Sequence, residues 1–508
     1  LENEGRLLFQ TVAGPDAMPP SIREGDRILG YLPALKFRDL GDPGFCRDHQ
    51  LQFPYVAGGM ANGIASTALV EAMAKAGMLG FFGAAGLDLD TVETAIDHLQ
   101  ARIPNLPYGF NFIHSPNEPG HESAVTSLYL RRKIHLVEAA AFLKLTLPIV
   151  RYRVHGISQD STGRITTPNR IIAKVSRVEV ATQFFAPPPA EMLDELVRTR
   201  EITAEQALLA ARIPMAQDVT AEADSAGHTD NRPLVALLPT LSCLRHRLQA
   251  KHGYAQSLRV GAGGGLSTPA SLAAALAMGA AYVVTGSINQ ACVEAGTSDT
   301  VRQMLCQAEQ ADTAMAPAAD MFEMGVKVQV LKRGTMFPMR AAKLFDLYRA
   351  HAGLEAIPAA ERIVLEKQFF PGGLDQAWQS TRQYFLKRDP RQVERAERDP
   401  KHKMALVFRS YLGLSSRWAN AGEPSRQLDY QVWCGPAMGA FNEWVRGTPW
   451  EKPENRRAAA IAQNLLYGAA RQLRIQALHF QGVQCPDDLV HCPPLDPANL
   501  QSVFTNHE

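Results

Sequence analysis

The densest chemistry in the chain lies in one stretch, Arg259-Val-Gly261-Ala-Gly263-Gly264-Gly265-Leu-Ser-Thr268-Pro269. Glycine admits positive φ and lets backbone N–H groups approach a ligand closely. Thr268 suits a helix cap and Pro269 the first helical position. A helix starting there aims N–H groups and the positive end of its dipole at an anion. Further on, Val283-Val-Thr285-Gly286-Ser287 adds another glycine and a hydroxyl. Two such loops side by side make a phosphate site, and a side chain at Gly264 is expected to fill it. A dinucleotide fingerprint needs glycine where Leu266 stands, and a Walker loop needs a Gly-Lys-Ser/Thr that the sequence lacks. A glycine-rich turn without a ligand is the remaining alternative.

Three further positions suit a flat heterocycle beside that phosphate. Gly58-Gly59-Met60-Ala61-Asn62-Gly63 leaves room for a ring to lie against backbone. Asn111 offers both a donor and an acceptor to a ring edge, although Asn also serves simply as a turn former. Lys174 can balance the negative charge that a reduced flavin gathers, or form a plain ion pair. Ala221-Glu222-Ala223-Asp224-Ser225-Ala226-Gly227-His228-Thr229-Asp230-Asn231 gathers titratable groups just past a strand. His228 titrates near neutral pH and is the candidate acid or base, against a structural histidine. Asp224 and Asp230 either orient it or cap the turn.

These stretches need a scaffold that brings strand ends together. Between residues 53 and 290 one unit repeats: a short apolar run, a small-residue turn and an amphipathic helix. Strands are predicted at 54–58, 79–83, 108–113, 149–154, 171–175, 218–223, 259–262 and 282–285, with helices between them, among them 67–76, 89–101 and 269–278. Alternating strands and helices predict a parallel sheet, and eight units predict a (β/α)₈ barrel. An open doubly wound sheet is the rival. The expected organisation is a barrel with an N-terminal extension over 1–344, a helical module over 345–430, a segment returning to the barrel over 431–484, and an irregular proline-rich tail over 485–508.

Composition narrows the class. The net charge of +1 gives no basic excess of the kind nucleic-acid binding needs. The longest apolar run, 272–285, is too short for a membrane span, and the first residues lack the order of a signal peptide, so a cytoplasmic protein is expected. Seven scattered cysteines read as free thiols; Cys485, His491 and Cys492 fit no common zinc spacing, so no metal is expected. Residues 382–409 carry nine Lys/Arg against four Asp/Glu, either a solvated helical face or a docking surface for an acidic partner.

In these residues the sequence resembles the nitronate monooxygenase and FabK-like enoyl reductase barrels. Met315-Ala-Pro-Ala-Ala-Asp320, Asp399-Pro-Lys-His-Lys-Met404 and Gln431-Val-Trp-Cys-Gly-Pro-Ala-Met-Gly-Ala-Phe441, with the segment 223–233, are similar to the PfaD-type enoyl reductases, trans-acting components of polyketide and polyunsaturated fatty acid synthases. Ala226 departs from the second glycine usual before the histidine. The resemblance implies FMN held by Gly59, Met60, Ala61, Asn62, Asn111, Lys174, Asp224, Ser225, Gly227, Gly263, Gly264, Gly265, Gly286 and Ser287. It implies NADPH or NADH as reductant, an enoyl thioester on acyl carrier protein as substrate, and His228 as proton donor. A homodimer is compatible with it. A flavin oxidase of nitronates and a non-catalytic carrier-binding scaffold are the competing functions.

Overall fold

A computed structural model describes residues 29–505 except 33, 34 and 117, together with the backbone of Glu2–Asn3 and Arg6–Leu7. The expected N-terminal extension therefore falls mostly outside the described residues. Eight strands close a parallel barrel: β1 (Tyr55–Ala57), β2 (Leu79–Phe82), β3 (Gly109–Ile113), β4 (Leu136–Ala140), β5 (Arg170–Val175), β6 (Asp218–Glu222), β7 (Arg259–Gly263) and β8 (Val283–Thr285). They pair in chain order and β8 returns to β1. This excludes the open sheet.

Local chemistry explains most elements. In the Leu89–Arg102 helix, Asp88 caps the start by accepting from Thr91 N–H, and Val92, Ala95, Ile96 and Leu99 form the buried stripe. Polar groups inside the barrel pair with each other: Tyr55 with Thr285 at 2.8 Å, Thr220 with Tyr282 at 2.9 Å. The base is plugged by the Pro43–His49 helix, whose Phe45 stacks on Tyr282. Asp218 at the start of β6 is held by His49 (2.8 Å) and by Arg259 (2.5 Å). Burial works against its charge, yet Arg259 and His49 outweigh that and bring its pKa to about 2. Removing one partner of such a buried pair costs about 3–5 kcal/mol.

The fourth strand lies elsewhere than the sequence pattern suggests. Residues 149–154 belong to the Leu147–Val154 helix, started by Pro148. Ile149, Val150, Tyr152, Arg153 and Val154 are all buried, and the β-branched and aromatic residues of Ile-Val-Arg-Tyr-Arg-Val give this helix the look of a strand. The true strand, β4, carries Glu138 and ends in two alanines, poor β formers that neighbouring β3 and β5 hold in place.

Past the barrel, β9 (Thr313–Pro317) and β10 (Lys327–Leu331) pair antiparallel, and the two residues Gly227–His228 join β10 as a third strand. The helices Phe337–Ala350, Ala359–Gln368, Gly373–Arg388, Pro390–Arg398 and Pro400–Ala421 follow, and several of them share a second core around Phe322, Phe337, Phe370, Phe408 and Tyr411. The Ala437–Trp444 and Ala458–Phe480 helices bring Met438, Phe441, Ile461 and Leu465 onto the barrel core. The tail is not irregular throughout. It forms helices at Asp487–Val490 and Pro497–Thr505, because Pro486 and Pro497 stand at helix starts, where a fixed φ is favourable. Among the described residues no helix is long and apolar enough to cross a membrane, and no three His, Cys, Asp or Glu side chains gather as a metal site.

Candidate active site

A cavity of about 770 Å³ opens at the carboxyl ends of the barrel strands, under the Gly373–Arg388 and Pro400–Ala421 helices. His228 and every residue expected to hold the flavin border it, including Met60, Ala61, Gly227 and Gly263, whereas Asp230 does not. What each does there is set by its neighbours.

Gly264 (φ 84°) and Gly265 (φ 72°) turn the chain sharply after β7. Thr268 then caps the Pro269–Ala277 helix by accepting from Ser271 N–H. The N–H groups of Gly265 and Gly286 have no hydrogen-bond partner among the described residues. A Cβ at Gly265 or Gly286 would meet nothing within 4 Å. Ser267 Oγ, buried in the same loop, has no hydrogen-bond partner among the described residues. The loops after β7 and β8 thus leave a space edged with unspent donors, which fits a phosphate. Ser287 Oγ accepts from Gly435 N–H at 3.1 Å, tying the 431–441 segment to this cradle. Gly264 is different: its Cβ would stand 2.9 Å from the Ala223 carbonyl carbon, so a side chain there strains the fold before it reaches an anion.

The floor beside the cradle is ionic. Gly59 N–H donates to Glu138 Oε2 at 2.8 Å, and Lys174 Nζ lies 3.6 Å from Glu138 and 3.5 Å from Glu222. Glu138 is only 1% exposed, and burial pushes its pKa up. Burial also works against the charge of Lys174, but the two carboxylates outweigh it and raise its pKa. Lys174 is therefore an ion-paired cation and not an isolated one. The sequence pattern missed Glu138 because it misplaced β4; a lone Glu inside Leu136-Val137-Glu138-Ala139-Ala140 was the available signal. Asn111 is buried beside it, with Nδ2 3.4 Å from the Glu138 carbonyl. Asn62 spends its amide on Ser416 Oγ at 2.9 Å, so it anchors the roof.

His228 faces Asp320, Nε2 to Oδ1 at 3.0 Å. The cavity's low polarity disfavours the imidazolium, and the Asp320 carboxylate overrides this and raises the His228 pKa. Neither Asp224 nor Asp230 orients the ring. Asp224 accepts from Gln329 Nε2 (2.8 Å) and Asn231 Nδ2 (3.0 Å), and Asp230 accepts from Arg177 and Ser176. Gln329 Nε2 also reaches the Ser225 carbonyl at 3.0 Å. Ser225 Oγ lies 3.4 Å from Glu222.

A closed parallel barrel with an anion cradle after β7 and β8 defines a class of (β/α)₈ proteins that bind phosphate-bearing ligands at that end. Residues 46–356 match the nitronate monooxygenase family model, and residues 351–430 match the inserted helical domain of acyl-carrier-protein S-malonyltransferase. The enoyl reductase domain of MlnA from Bacillus amyloliquefaciens superposes with a TM-score of 0.83 at 39% identity, covering 87% of this chain and 99% of that one. A polyunsaturated fatty acid synthase component of a Thraustochytrium species is 48% identical over 447 residues, 87% of this chain and 30% of that protein. Polyketide biosynthesis protein PksE of Bacillus subtilis is 42% identical across 94% of this chain and 62% of its own length. This chain belongs to the nitronate monooxygenase family, whose members depend on flavin. It spans less than two thirds of the curated relatives it matches.

A Cβ at Gly286 would meet open space. Gly286→Leu is expected to give a folded, colourless protein, measured by circular dichroism and by the flavin absorbance of the purified chain. A folded Gly286→Leu that stays yellow would place the anion elsewhere.

Proposed function

We propose that the chain is an FMN-dependent enoyl reductase that uses NADPH or NADH to saturate trans-2-enoyl thioesters on acyl carrier protein, in polyketide or polyunsaturated fatty acid synthesis. The names of its relatives favour this reading. So does a single phosphate cradle, which suits FMN better than a dinucleotide flavin. When bound, the flavin supplies hydride transfer from the nicotinamide to the β-carbon of the enoyl group. The overall balance is enoyl thioester, NAD(P)H and one proton giving saturated thioester and NAD(P)⁺.

The protein's own part is to hold the ring site and to deliver the proton. Gly59, held by Glu138, keeps the floor flat. Lys174 contributes a fixed positive charge between Glu138 and Glu222. Asp320 occupies His228 Nε2, which leaves Nδ1–H to protonate the α-carbon. The pairing of His228 with Asp320 is the observation that carries the reading. It keeps the proton on the imidazole at higher pH, as a general acid requires, whereas nitronate oxidation asks the same ring to accept a proton.

Carrier docking is assigned to the Pro390–Arg398 helix. Arg391, Arg395 and Arg398 are exposed there, with Arg391 near Asp389 and Arg395 near Asp399. Other cations of 382–409 are used internally: Arg388 pairs with Glu118, Lys401 donates to the Tyr348 and His351 carbonyls, and Arg409 reaches Ala319 O and Glu323.

Anaerobic NAD(P)H should bleach the yellow protein, and an enoyl thioester should restore the colour. In His228→Ala the bleaching stays and the return slows by about 10²–10⁴-fold, the usual share of general acid catalysis. Bleaching by a nitronate, with colour restored by O₂ and not by an enoyl thioester, would favour the oxidase, and a colourless wild type the scaffold. Charge reversal at Arg391, Arg395 and Arg398 together should weaken turnover of carrier-bound substrate, most at low salt, and spare the N-acetylcysteamine thioester. Equal loss with both substrates would contradict the docking assignment.

A further inference from the structure

The Pro400–Ala421 helix spans the mouth of the barrel. Toward its first half, Arg409 Nε donates to Ala319 O at 2.9 Å, next to Asp320. Toward its end, Ser416 Oγ accepts from Asn62 in the loop after β1. Gly413 lies between these two anchors and borders the cavity, as does Ser410 one turn earlier.

Glycine weakens a helix interior relative to alanine, so an interior glycine calls for a reason. Backbone conformation supplies none, since Gly413 is not among the residues with positive φ. Packing supplies none either. Gly439 and Gly468 are helical glycines whose Cβ would strike Gln310 N at 2.0 Å and Pro269 Cγ at 2.5 Å. A Cβ at Gly413 would meet nothing within 4 Å. The space belongs to the cavity. The Gly373–Arg388 helix also lines that cavity with small groups, Ala377 and Ser380, and apolar Phe370, Phe385 and Leu414 border it as well.

We infer that Gly413 is a specificity-determining position, leaving clearance over the ring site for acyl chains longer than a four-carbon crotonyl unit. The inference rests on the enoyl thioester reading above. It names a long acyl thioester as the substrate class, because apolar Phe370, Phe385 and Leu414 border the open space, along with Arg409 and Arg417 one turn to either side of Gly413.

The test compares wild type, Gly413→Ala and Gly413→Leu on N-acetylcysteamine thioesters of crotonic and trans-2-dodecenoic acid. Gly413→Ala should keep or raise the Tm, since alanine favours the helix. It thereby shows that the position tolerates a side chain. Gly413→Leu should lower the ratio of dodecenoyl to crotonyl kcat/KM by at least about tenfold, the scale on which an apolar pocket discriminates size. An unchanged ratio, with or without a general loss of rate, would overturn the inference. Calorimetric binding of saturated dodecanoyl and butanoyl thioesters reads the same contrast without turnover. If wild type reduces neither enoyl substrate, the reductase reading fails. The inference then stands only if Gly413→Leu selectively weakens dodecanoyl binding, and equal binding of both chains overturns it.

Discussion

Gln329 ties the His228 loop to a sheet that the barrel does not own. Its buried amide donates to Asp224 and to the Ser225 carbonyl and accepts from Asn231. The same strand, β10, pairs with Gly227 and His228, and Asp320 lies on the connection between β9 and β10. Leaving a buried amide unsatisfied costs about 1–3 kcal/mol per lost group, so the clamp resists partial release. The barrel supplies the strand end, but the extra sheet pairs with the His228 backbone, and Asp320 beside it raises the pKa of the imidazole. The helical module rests on that sheet and roofs the cavity, so scaffold and roof meet at the His228 loop.

Two electrostatic devices then face one cavity. Lys174 sits between Glu138 and Glu222, and desolvation is offset by paired carboxylates. Asp320 does for His228 what the two glutamates do for Lys174. Carboxylates from other parts of the chain thereby favour the protonated form of both groups. Fixed charge beside the ring site and a favoured proton on His228 suit the enoyl reduction proposed above.

Features written in local chemistry were legible in the sequence. The glycines after β7, the Thr268 cap and Pro269 announce a cradle because each demands a particular backbone. Seven of the eight strands stand close to their expected positions, and the eighth failed where a buried helix and an alanine-ended strand exchange appearances. The partners of the site were not legible. No spacing rule links His228 to Asp320, ninety-two residues on, or Asp224 to Gln329. Asp224 and Asp230 were open to orienting the ring or capping the turn, and their partners make them anchors of the loop. Glu138 was hidden by the misplaced strand, and with it one of the partners that make Lys174 an ion-paired cation.

The claim that the outer sheet sets the catalytic loop is tested most directly by Gln329→Leu, which removes the clamp at nearly constant volume. The measurement is the anaerobic oxidative half-reaction of the reduced flavoprotein with an enoyl thioester, beside flavin affinity in the same variant. The account predicts flavin affinity near wild type and a half-reaction slowed toward the level of His228→Ala. A wild-type half-reaction, or a loss confined to flavin binding, would contradict it.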